Sequence, residues 1–209
     1  MSSTPSQSVT VIGAGNIGSA VAGIALKAGA AVQVLTRDPE QAASIAGATP
    51  GAVGDAITGD IVLLALPYGA LDDVLAAYPD GFAGRIVVDP TNPVDFGTLD
   101  SLLPAGSSAA AQLAERLPRA KVLKAFNTNF SATLASGVTG GAPTAVLIAG
   151  DDAEAKQALS ALLAAAGLRG LDAGPLKRAH ELEGAGALQI GLAVTGQTPW
   201  DGGFAVVEA

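Results

Sequence analysis

The residues with the clearest chemical meaning form a glycine-rich motif near the start of the chain. The motif reads Gly13-Ala14-Gly15-Asn16-Ile17-Gly18 and follows the apolar run Ser8–Ile12. In a G-x-G-x-x-G turn the first glycine permits a tight bend, the second lets a pyrophosphate approach the backbone, and the third allows close packing of a helix on a strand. The amide groups at the start of that helix then face the phosphates. Because the motif joins a predicted strand to a predicted amphipathic helix, it predicts a dinucleotide-binding site formed by all six residues.

Two residues at the end of the next apolar run indicate which dinucleotide the site prefers. Ala31–Leu35 has the composition of a strand, and Thr36 and Arg37 follow it. An NAD site places an acidic side chain at this point, where it binds the ribose 2′-hydroxyl. A carboxylate would repel a 2′-phosphate, whereas Thr36 offers a hydroxyl donor and Arg37 a charge-assisted contact. Asp38 precedes Pro39 and is predicted to cap the next helix, so we expect NADPH to be preferred over NADH.

Side chains at the ends of the later predicted strands complete the site. Right-handed crossovers bring the carboxyl ends of parallel strands to one edge of a sheet, where ligands bind. The residues expected to contact the cofactor there are Leu66, Pro67, Tyr68, Asn92 and Ala125. A further group, mostly polar and uncharged, is expected to bind the second reactant, and it consists of Asn127, Thr128, Asn129 and Phe130.

This chain lacks the residues that several kinds of catalysis require. The sequence has no cysteine, which excludes thiol nucleophiles and thiolate metal sites. Its one histidine, His180, is predicted to lie on an exposed helical surface, and no Ser-His-acid set and no metal-ligand cluster can be assembled from one histidine. Enzymes that reduce a carbonyl or an imine use a positioned proton donor, and no pattern in the sequence indicates such a residue. A flavin or deazaflavin takes up hydride and collects its proton from solvent, so the protein needs only to align two rings. We therefore predict no catalytic side chain and no metal.

Apolar runs of strand length alternate with helical patterns along the chain. Strands are predicted over Ser8–Ile12, Ala31–Leu35, Ile61–Leu66, Arg85–Asp89, Ala120–Ala125, Thr144–Ala149 and Leu168–Asp172, with a short strand or a loop over Thr49–Val53 and an edge strand over Phe204–Val207. Helices are predicted over Asn16–Ala28, Pro39–Ala46, Ala70–Ala77, Ser108–Leu117, Ser131–Ala135, Asp152–Ala166 and Leu176–Val194, with a helical turn over Asp55–Thr58.

This alternation predicts an α/β protein with a Rossmann-like, doubly wound and mainly parallel sheet. We expect residues 1–209 to form a single domain, in which a small C-terminal α/β extension begins at about residue 126.

Charge and hydropathy narrow the range of partners. The net charge is −8, from 11 basic and 19 acidic residues, so we expect no nucleic-acid binding. The densest basic cluster is Arg116, Arg119, Lys121 and Lys124, which is predicted to straddle a helix end and the next strand. No apolar run approaches the ~18–20 residues of a membrane span. Ser2 to Ser8 lacks the pattern of a signal peptide, so we expect a cytoplasmic protein with no membrane partner.

Six motifs occur in order along the chain, namely Gly13–Gly18, Thr36-Arg37, Leu66-Pro67, Lys124–Asn127, Ile148–Asp152 and Leu171–Leu176. In this order the chain resembles the NADP-dependent F420 oxidoreductases, and it is similar to the cytosolic domains of the STEAP metalloreductases. The resemblance implies a Rossmann domain with a small C-terminal extension, a homodimer, and hydride exchange between NADP(H) and F420, FMN or FAD. It also implies an NADP site made of Gly13–Gly18, Thr36, Arg37, Pro67 and Ala125, with Asn127–Phe130 and the C-terminal tail against the acceptor. Archaeal F420 enzymes have His-Thr-Ile-Pro where this chain has Asn127–Phe130, so the acceptor stays open between a deazaflavin and a flavin.

Three functions are consistent with these patterns. The first is an NADPH-dependent oxidoreductase that transfers hydride to a flavin or deazaflavin. The second is a reductase of small imines or carbonyls, of the pyrroline-5-carboxylate reductase type, whose long helical dimerisation region is not visible in this sequence. The third is a non-catalytic NADPH-binding redox sensor, which the scarcity of acid and base residues also suits.

Overall fold

Eight strands form one sheet whose order is β10-β9-β6-β5-β4-β1-β2-β3 in the computed structural model, which describes residues 7–207. The strands are β1 (Ser8–Ile12), β2 (Ala31–Thr36), β3 (Thr49–Ala52), β4 (Ile61–Leu64), β5 (Ile86–Asp89), β6 (Lys121–Lys124), β9 (Ala145–Gly150) and β10 (Arg169–Gly174). A separate two-stranded hairpin consists of β7 (Val138–Thr139) and β8 (Ala142–Pro143). The helices are α1 (Asn16–Lys27), α2 (Pro39–Ala43), α3 (Leu71–Ala77), α4 (Ala109–Arg116), α5 (Ser131–Ser136), α6 (Ala153–Ala165) and α7 (Ala179–Val194), with 3₁₀ turns at Tyr68–Ala70 and Leu176–Arg178.

The first six strands pair in parallel in the order 3-2-1-4-5-6, which is the order of a doubly wound dinucleotide-binding sheet. Strand β9 then pairs antiparallel with β6, and β10 pairs in parallel with β9. The structure confirms the predicted α/β class and its mainly parallel sheet. Of the strands that follow residue 126, β9 and β10 extend that same sheet, whereas β7 and β8 form the separate hairpin.

Helices cover both faces of the sheet, which explains why β4 is apolar at every position. Alternate side chains of a strand point to opposite faces. Leu63 packs in the apolar cluster that includes α1 and α6, and its neighbours Val62 and Leu64 pack in the cluster that includes α3 and α4. A strand covered on both faces has a continuous run of apolar residues in its sequence, and the sequence of β4 predicts this arrangement.

Two short elements differ from the sequence-based prediction. Phe204–Val207 does not form a strand, because the Phe204 amide donates to the Gln189 side chain and the Val206 carbonyl accepts from Arg169. Asp55–Thr58 does not form a helical turn, because the Thr58 amide donates to Gln33 Oε1 at 3.1 Å and the Ala56 carbonyl accepts from Gln33 Nε2 at 3.0 Å. In both places a side chain takes the backbone group that a regular element would have used.

Within residues 7–207, no helix is both long and apolar enough to cross a membrane. The predicted polar segment Ser2 to Ser8 lies mostly outside the described residues, and Ser8 itself begins β1.

Candidate functional site

A cleft of about 350 Å³ opens at the carboxyl ends of β1, β2 and β4. The strand order reverses between β1 and β4, and ligands of doubly wound sheets bind at such a point. Seven of the predicted cofactor residues line the cleft, namely Gly13, Ala14, Gly15, Thr36, Arg37, Leu66 and Pro67. Asn16, Ile17 and Gly18 follow directly as the first turn of α1.

The turn between β1 and α1 requires glycine at two positions. Gly13 has φ +107°, and its amide donates to the Leu35 carbonyl at 2.8 Å. A Cβ atom on Gly13 would lie 2.2 Å from the Ala65 carbonyl oxygen, and one on Gly18 would lie 2.0 Å from the Gly13 carbonyl oxygen. The first and third glycines of the motif therefore hold the loop tightly between β4 and α1.

The second glycine serves a different purpose, because the protein itself does not require it. Gly15 has φ −70°, which any residue adopts, and a Cβ atom there would have nothing within 4 Å. The missing side chain leaves space in the cleft beside the backbone. A pyrophosphate fits this space, as the G-x-G-x-x-G motif predicts.

The N-terminus of α1 is left without a cap. No side chain bonds to its first amide groups, and its first turn carries no acidic residue. Asp38, Ser108 and Asp152 cap α2, α4 and α6 with their side chains, whereas α3, α5 and α7 lack a side-chain cap as α1 does. The uncapped amides and the helix dipole favour an anion at this point, so the residues present fit a bound dinucleotide.

The two residues predicted to select NADP have different surroundings. Arg37 is exposed at the cleft, and among the described lining residues it is the one cation. Thr36 is buried, and its hydroxyl donates to the Asp38 carbonyl, so a contact with a 2′-phosphate would have to replace that bond. The Asp38 carboxylate accepts from the Glu40 amide at 3.1 Å, as expected for a helix cap. Arg37 is therefore the better placed of the two to bind a 2′-phosphate.

The sequence analysis missed half of the cleft lining. These residues are mostly apolar and come from strand ends and from the region around α2 and α3, namely Leu35, Asp38, Gln41, Val53, Ala65, Ala70, Asp73 and Val74. No motif marks them. Their position next to strand ends on the predicted ligand edge is the signal that could have found them.

The structure does not bring Tyr68 and Ala125 to this cleft. The Tyr68 hydroxyl donates to Gln112 Oε1 at 2.7 Å, so the ring faces α4 rather than the glycine-rich loop. Burial, followed by the nearby Asp72 carboxylate, raises the pKa of Tyr68. Ala125 is fully buried and therefore offers no surface to a nicotinamide ring in this conformation.

A cluster of amide side chains lies farther along the same edge. Asn127 Nδ2 donates to Asn92 Oδ1 at 2.9 Å and to the Leu182 carbonyl at 2.8 Å, while Asn92 Nδ2 donates to the Asn127 carbonyl at 2.7 Å. Asn129 Nδ2 donates to the Ala145 carbonyl at 3.0 Å. The buried Oδ1 atoms of Asn127 and Asn129 have no hydrogen-bond donor among the described residues. The structure thus joins Asn92 to the predicted acceptor residues, and it leaves two amide oxygens without a partner.

The remaining predicted acceptor residues, Thr128 and Phe130, are also buried. The Phe130 ring packs on Trp200 of the C-terminal tail, with ring centroids 4.8 Å apart. The tail therefore lies against the residues that are predicted to bind the second reactant.

A buried ion-pair cluster beneath these amides was not predicted. Lys124 Nζ lies 2.9 Å from Asp89 Oδ2 and 2.7 Å from Glu183 Oε1, and it donates to the Thr91 carbonyl at 2.5 Å. Burial raises the pKa of Glu183, although Lys124 acts in the opposite direction. Of the basic residues that the sequence groups around a helix end and the next strand, Lys124 ends β6 and its side chain is fully buried. The signal in the sequence is a lysine and an aspartate that end adjacent strands covered on both faces.

The two motifs of the second half have structural partners. Asp151 Oδ1 accepts from the Leu176 amide at 2.9 Å, and Asp152 caps α6 and pairs with Lys121 at 3.0 Å. Asp172 pairs with Lys156 at 2.7 Å. These contacts tie β9, β10 and α6 together and lie apart from the cleft lining.

The fold and the cleft are those of the dinucleotide-binding α/β class, and comparison with known proteins gives the family. Residues 8–93 match the family model described as NADP oxidoreductase, coenzyme F420-dependent. Over these residues the chain matches that family of NADP-dependent oxidoreductases, which confirms the resemblance predicted from the sequence.

Two relatives match most of the chain. It is 30% identical over 177 residues to the Metalloreductase STEAP3 of Rattus norvegicus, a match covering 84% of this chain and 35% of the relative. It is 33% identical over 175 residues to the Glycerol-3-phosphate dehydrogenase [NAD(P)+] of Paracoccus denitrificans, covering 78% of this chain and 51% of the relative. The chain thus spans about a third and about half of the length of these two relatives.

Solved structures agree with this assignment. A protein from Arthrobacter sp. FB24, described as a candidate F420-dependent NADP-reductase, superposes with a TM-score of 0.81 at 26% identity, covering 96% of this chain and 99% of that one. An imine reductase from Myxococcus stipitatus in complex with NADP+ superposes with a TM-score of 0.68 at 23% identity, covering 91% of this chain and 63% of that one. The second likeness shows a shared fold alone.

Proposed function

We propose that the chain is an NADPH-dependent oxidoreductase that transfers hydride between NADP(H) and a flavin or deazaflavin ring. The family assignment supports NADP as the cofactor. The observation that carries the choice of acceptor is the chemistry of the edge beyond the cleft. Asn92, Asn127 and Asn129 offer neutral amide groups there, whereas the nearby Lys124 is buried and paired.

In this mechanism the chain binds and aligns two rings, and it supplies no proton. The amides at the start of α1 would hold the dinucleotide in the cleft, Arg37 would bind its 2′-phosphate, and Gly15 would leave room for its pyrophosphate. NADPH, when bound, supplies the hydride. The acceptor ring collects its proton from solvent, so the reaction needs no acid or base from the protein.

The experiment that tests the proposal follows NADPH oxidation by its absorbance with one acceptor at a time. F420, FMN, FAD, a cyclic imine and dihydroxyacetone phosphate form the panel. We expect oxidation with at least one flavin or deazaflavin and none with the imine or the ketone. Oxidation by the imine or ketone alone would overturn the proposal in favour of a small imine or carbonyl reductase. Tight NADPH binding without oxidation by any member would instead favour a redox sensor.

We also propose that the chain acts as a homodimer through α7. From Gly184 to Val194 this helix carries one polar side chain, the buried Gln189, and its outer face leaves Leu188 60% and Val194 50% exposed. A helix that is apolar all round is normally buried, so a second copy of the chain would cover this face. We expect Leu188→Glu to convert a dimer to a monomer in light scattering, whereas Val138→Glu on the β7–β8 hairpin should not. A wild-type monomer at all concentrations would refute the proposal.

A further inference from the structure

Lys124 makes three contacts that have no part in the reaction described above. Its ammonium group bonds to the Asp89 carboxylate, to the Glu183 carboxylate and to the Thr91 carbonyl, all within 2.9 Å. The lysine side chain is fully buried and its ammonium group bonds to three protein oxygens, so it has no donor left for a reactant. What it can do is fix the relative positions of β5, β6 and α7.

Two of these partners are direct chain neighbours of the two residues that hold Asn127. Thr91 precedes Asn92, and Glu183 follows Leu182. The Asn127 amide nitrogen donates to Asn92 Oδ1 and to the Leu182 carbonyl. Lys124 therefore anchors both segments that bond to the Asn127 side chain, the one at Asn92 and the one at Leu182, without bonding to that side chain itself.

These contacts settle which way the Asn127 amide points. The Leu182 carbonyl can only accept a hydrogen bond, so the group that faces it must be Nδ2 and not Oδ1. The Oδ1 atom then lies on the other side of the amide. Asn127 is 5% exposed, and Oδ1 has no donor among residues 7–207. A buried acceptor of this kind is costly to leave unpaired, and an N–H group of a bound ring would satisfy it.

We propose that Lys124 is a positioning residue, which holds Asn127 so that its Oδ1 accepts a hydrogen bond from an N–H group of the ring bound at this edge. The inference rests on the proposed function, since it takes the ring to be either nicotinamide or its redox partner. Both rings offer the same chemistry, because the nicotinamide carboxamide and the imide of a flavin or deazaflavin each carry an N–H donor. The experiment separates these two sources.

The test compares pairs of ligands that differ in this N–H group. The first pair is NADP+ and its acetylpyridine analogue, in which a methyl ketone replaces the carboxamide, and the readout is Kd from direct titration. The second pair is a flavin and the same flavin methylated at the imide nitrogen, and the readout is kcat/KM. We expect the wild type to prefer the N–H ligand by roughly fivefold in one of the two pairs, as one neutral hydrogen bond allows.

Two variants, one alternative variant and a matched control then show which residues the preference depends on. Asn127→Ala should abolish it while leaving the buried ion pairs in place. Lys124→Met should abolish it as well. If that variant does not fold, Lys124→Met combined with Asp89→Asn and Glu183→Gln removes the cluster without leaving an unpaired buried charge. The matched control is Lys156→Met, which deletes an ion pair with Asp172 that makes no contact with Asn127.

A wild type with no preference in either pair would overturn the proposal, and so would a preference that survives in Asn127→Ala. A preference lost in Asn127→Ala but kept in the folded Lys124 variant would overturn the role of Lys124. Because the NADP+ titration needs no turnover, a failure of the proposed reaction is distinguishable from a failure of this inference.

Discussion

Replacing Gly15 by alanine separates what the cofactor requires from what the fold requires. The residue has φ −70°, and a Cβ atom there has no neighbour within 4 Å, so the free protein accommodates the methyl group. Alanine is a poorer helix N-cap than glycine, and we expect a loss of at most about 1 kcal/mol in the free energy of unfolding. In the complex the same methyl group would occupy the space assigned to the pyrophosphate. Overpacking by one carbon costs about 1–3 kcal/mol, which would weaken NADPH binding by roughly 5- to 150-fold.

The assay measures NADPH affinity by fluorescence titration and stability by chemical denaturation of the same variants. Gly23→Ala, on α1 and also without neighbours within 4 Å, is the matched control and should leave affinity unchanged. Gly18→Ala gives the opposite pattern, because its Cβ atom would lie 2.0 Å from the Gly13 carbonyl oxygen. That variant should lose about 1–3 kcal/mol of stability. If Gly15→Ala bound NADPH as tightly as the wild type, the dinucleotide would not pass over Gly15 and the reasoning would be refuted.

Three further predictions follow from the described contacts. Arg37→Ala should weaken NADPH binding by about 1–3 kcal/mol, as expected for a hydrogen bond to a charged group. NADH binding should be unchanged in parallel titrations. Equal losses of affinity for both cofactors would show that Arg37 does not bind the 2′-phosphate. Burial raises the pKa of Glu183 above 4.5, so the contribution of Glu183 to stability is present below pH 4.5 and is lost as the pH rises through its pKa in the folded state. Glu183→Gln should therefore gain stability relative to the wild type when chemical denaturation is repeated from about pH 4.5 to 7. Parallel pH profiles of the two proteins would contradict this prediction. Gly186→Ala should raise KM for the second reactant severalfold, because the added Cβ atom would lie 2.4 Å from Asn92 Oδ1. Gly184→Ala, whose Cβ atom would have no neighbour within 4 Å, is the control. Equal KM values for the two variants would be evidence against acceptor binding at Asn92.

Local patterns in the sequence were sufficient to predict most of the fold. The alternation of apolar runs and helical patterns predicts the parallel sheet, because strands covered on both faces, such as β4, need apolar residues throughout. Asp38 before Pro39 predicts the start of α2, and its carboxylate does cap that helix. The glycine-rich turn lies where the motif predicts, because its bend at Gly13 depends on the local backbone.

Contacts between residues distant in the chain could not be predicted in the same way. Tyr68 faces α4 because Gln112 accepts from its hydroxyl, and nothing near Tyr68 in the sequence indicates that partner. Lys124 pairs with Glu183, which lies 59 positions later in the chain, and nothing near Lys124 in the sequence indicates that partner. The predicted edge strand at Phe204–Val207 fails for a similar reason, since side chains of α7 and β10 take its backbone groups.

The most direct test of the account is the transfer of label from NADPH carrying deuterium at the transferable position of nicotinamide. A deazaflavin acceptor retains the hydride on carbon, so mass spectrometry of the reduced ring reports its origin. We predict that the deuterium appears on the deazaflavin in the wild type, and at a much lower rate in Gly15→Ala. Reduced deazaflavin without label, or no reduction of any flavin-type ring while NADPH reduces a cyclic imine, would contradict hydride transfer between two rings.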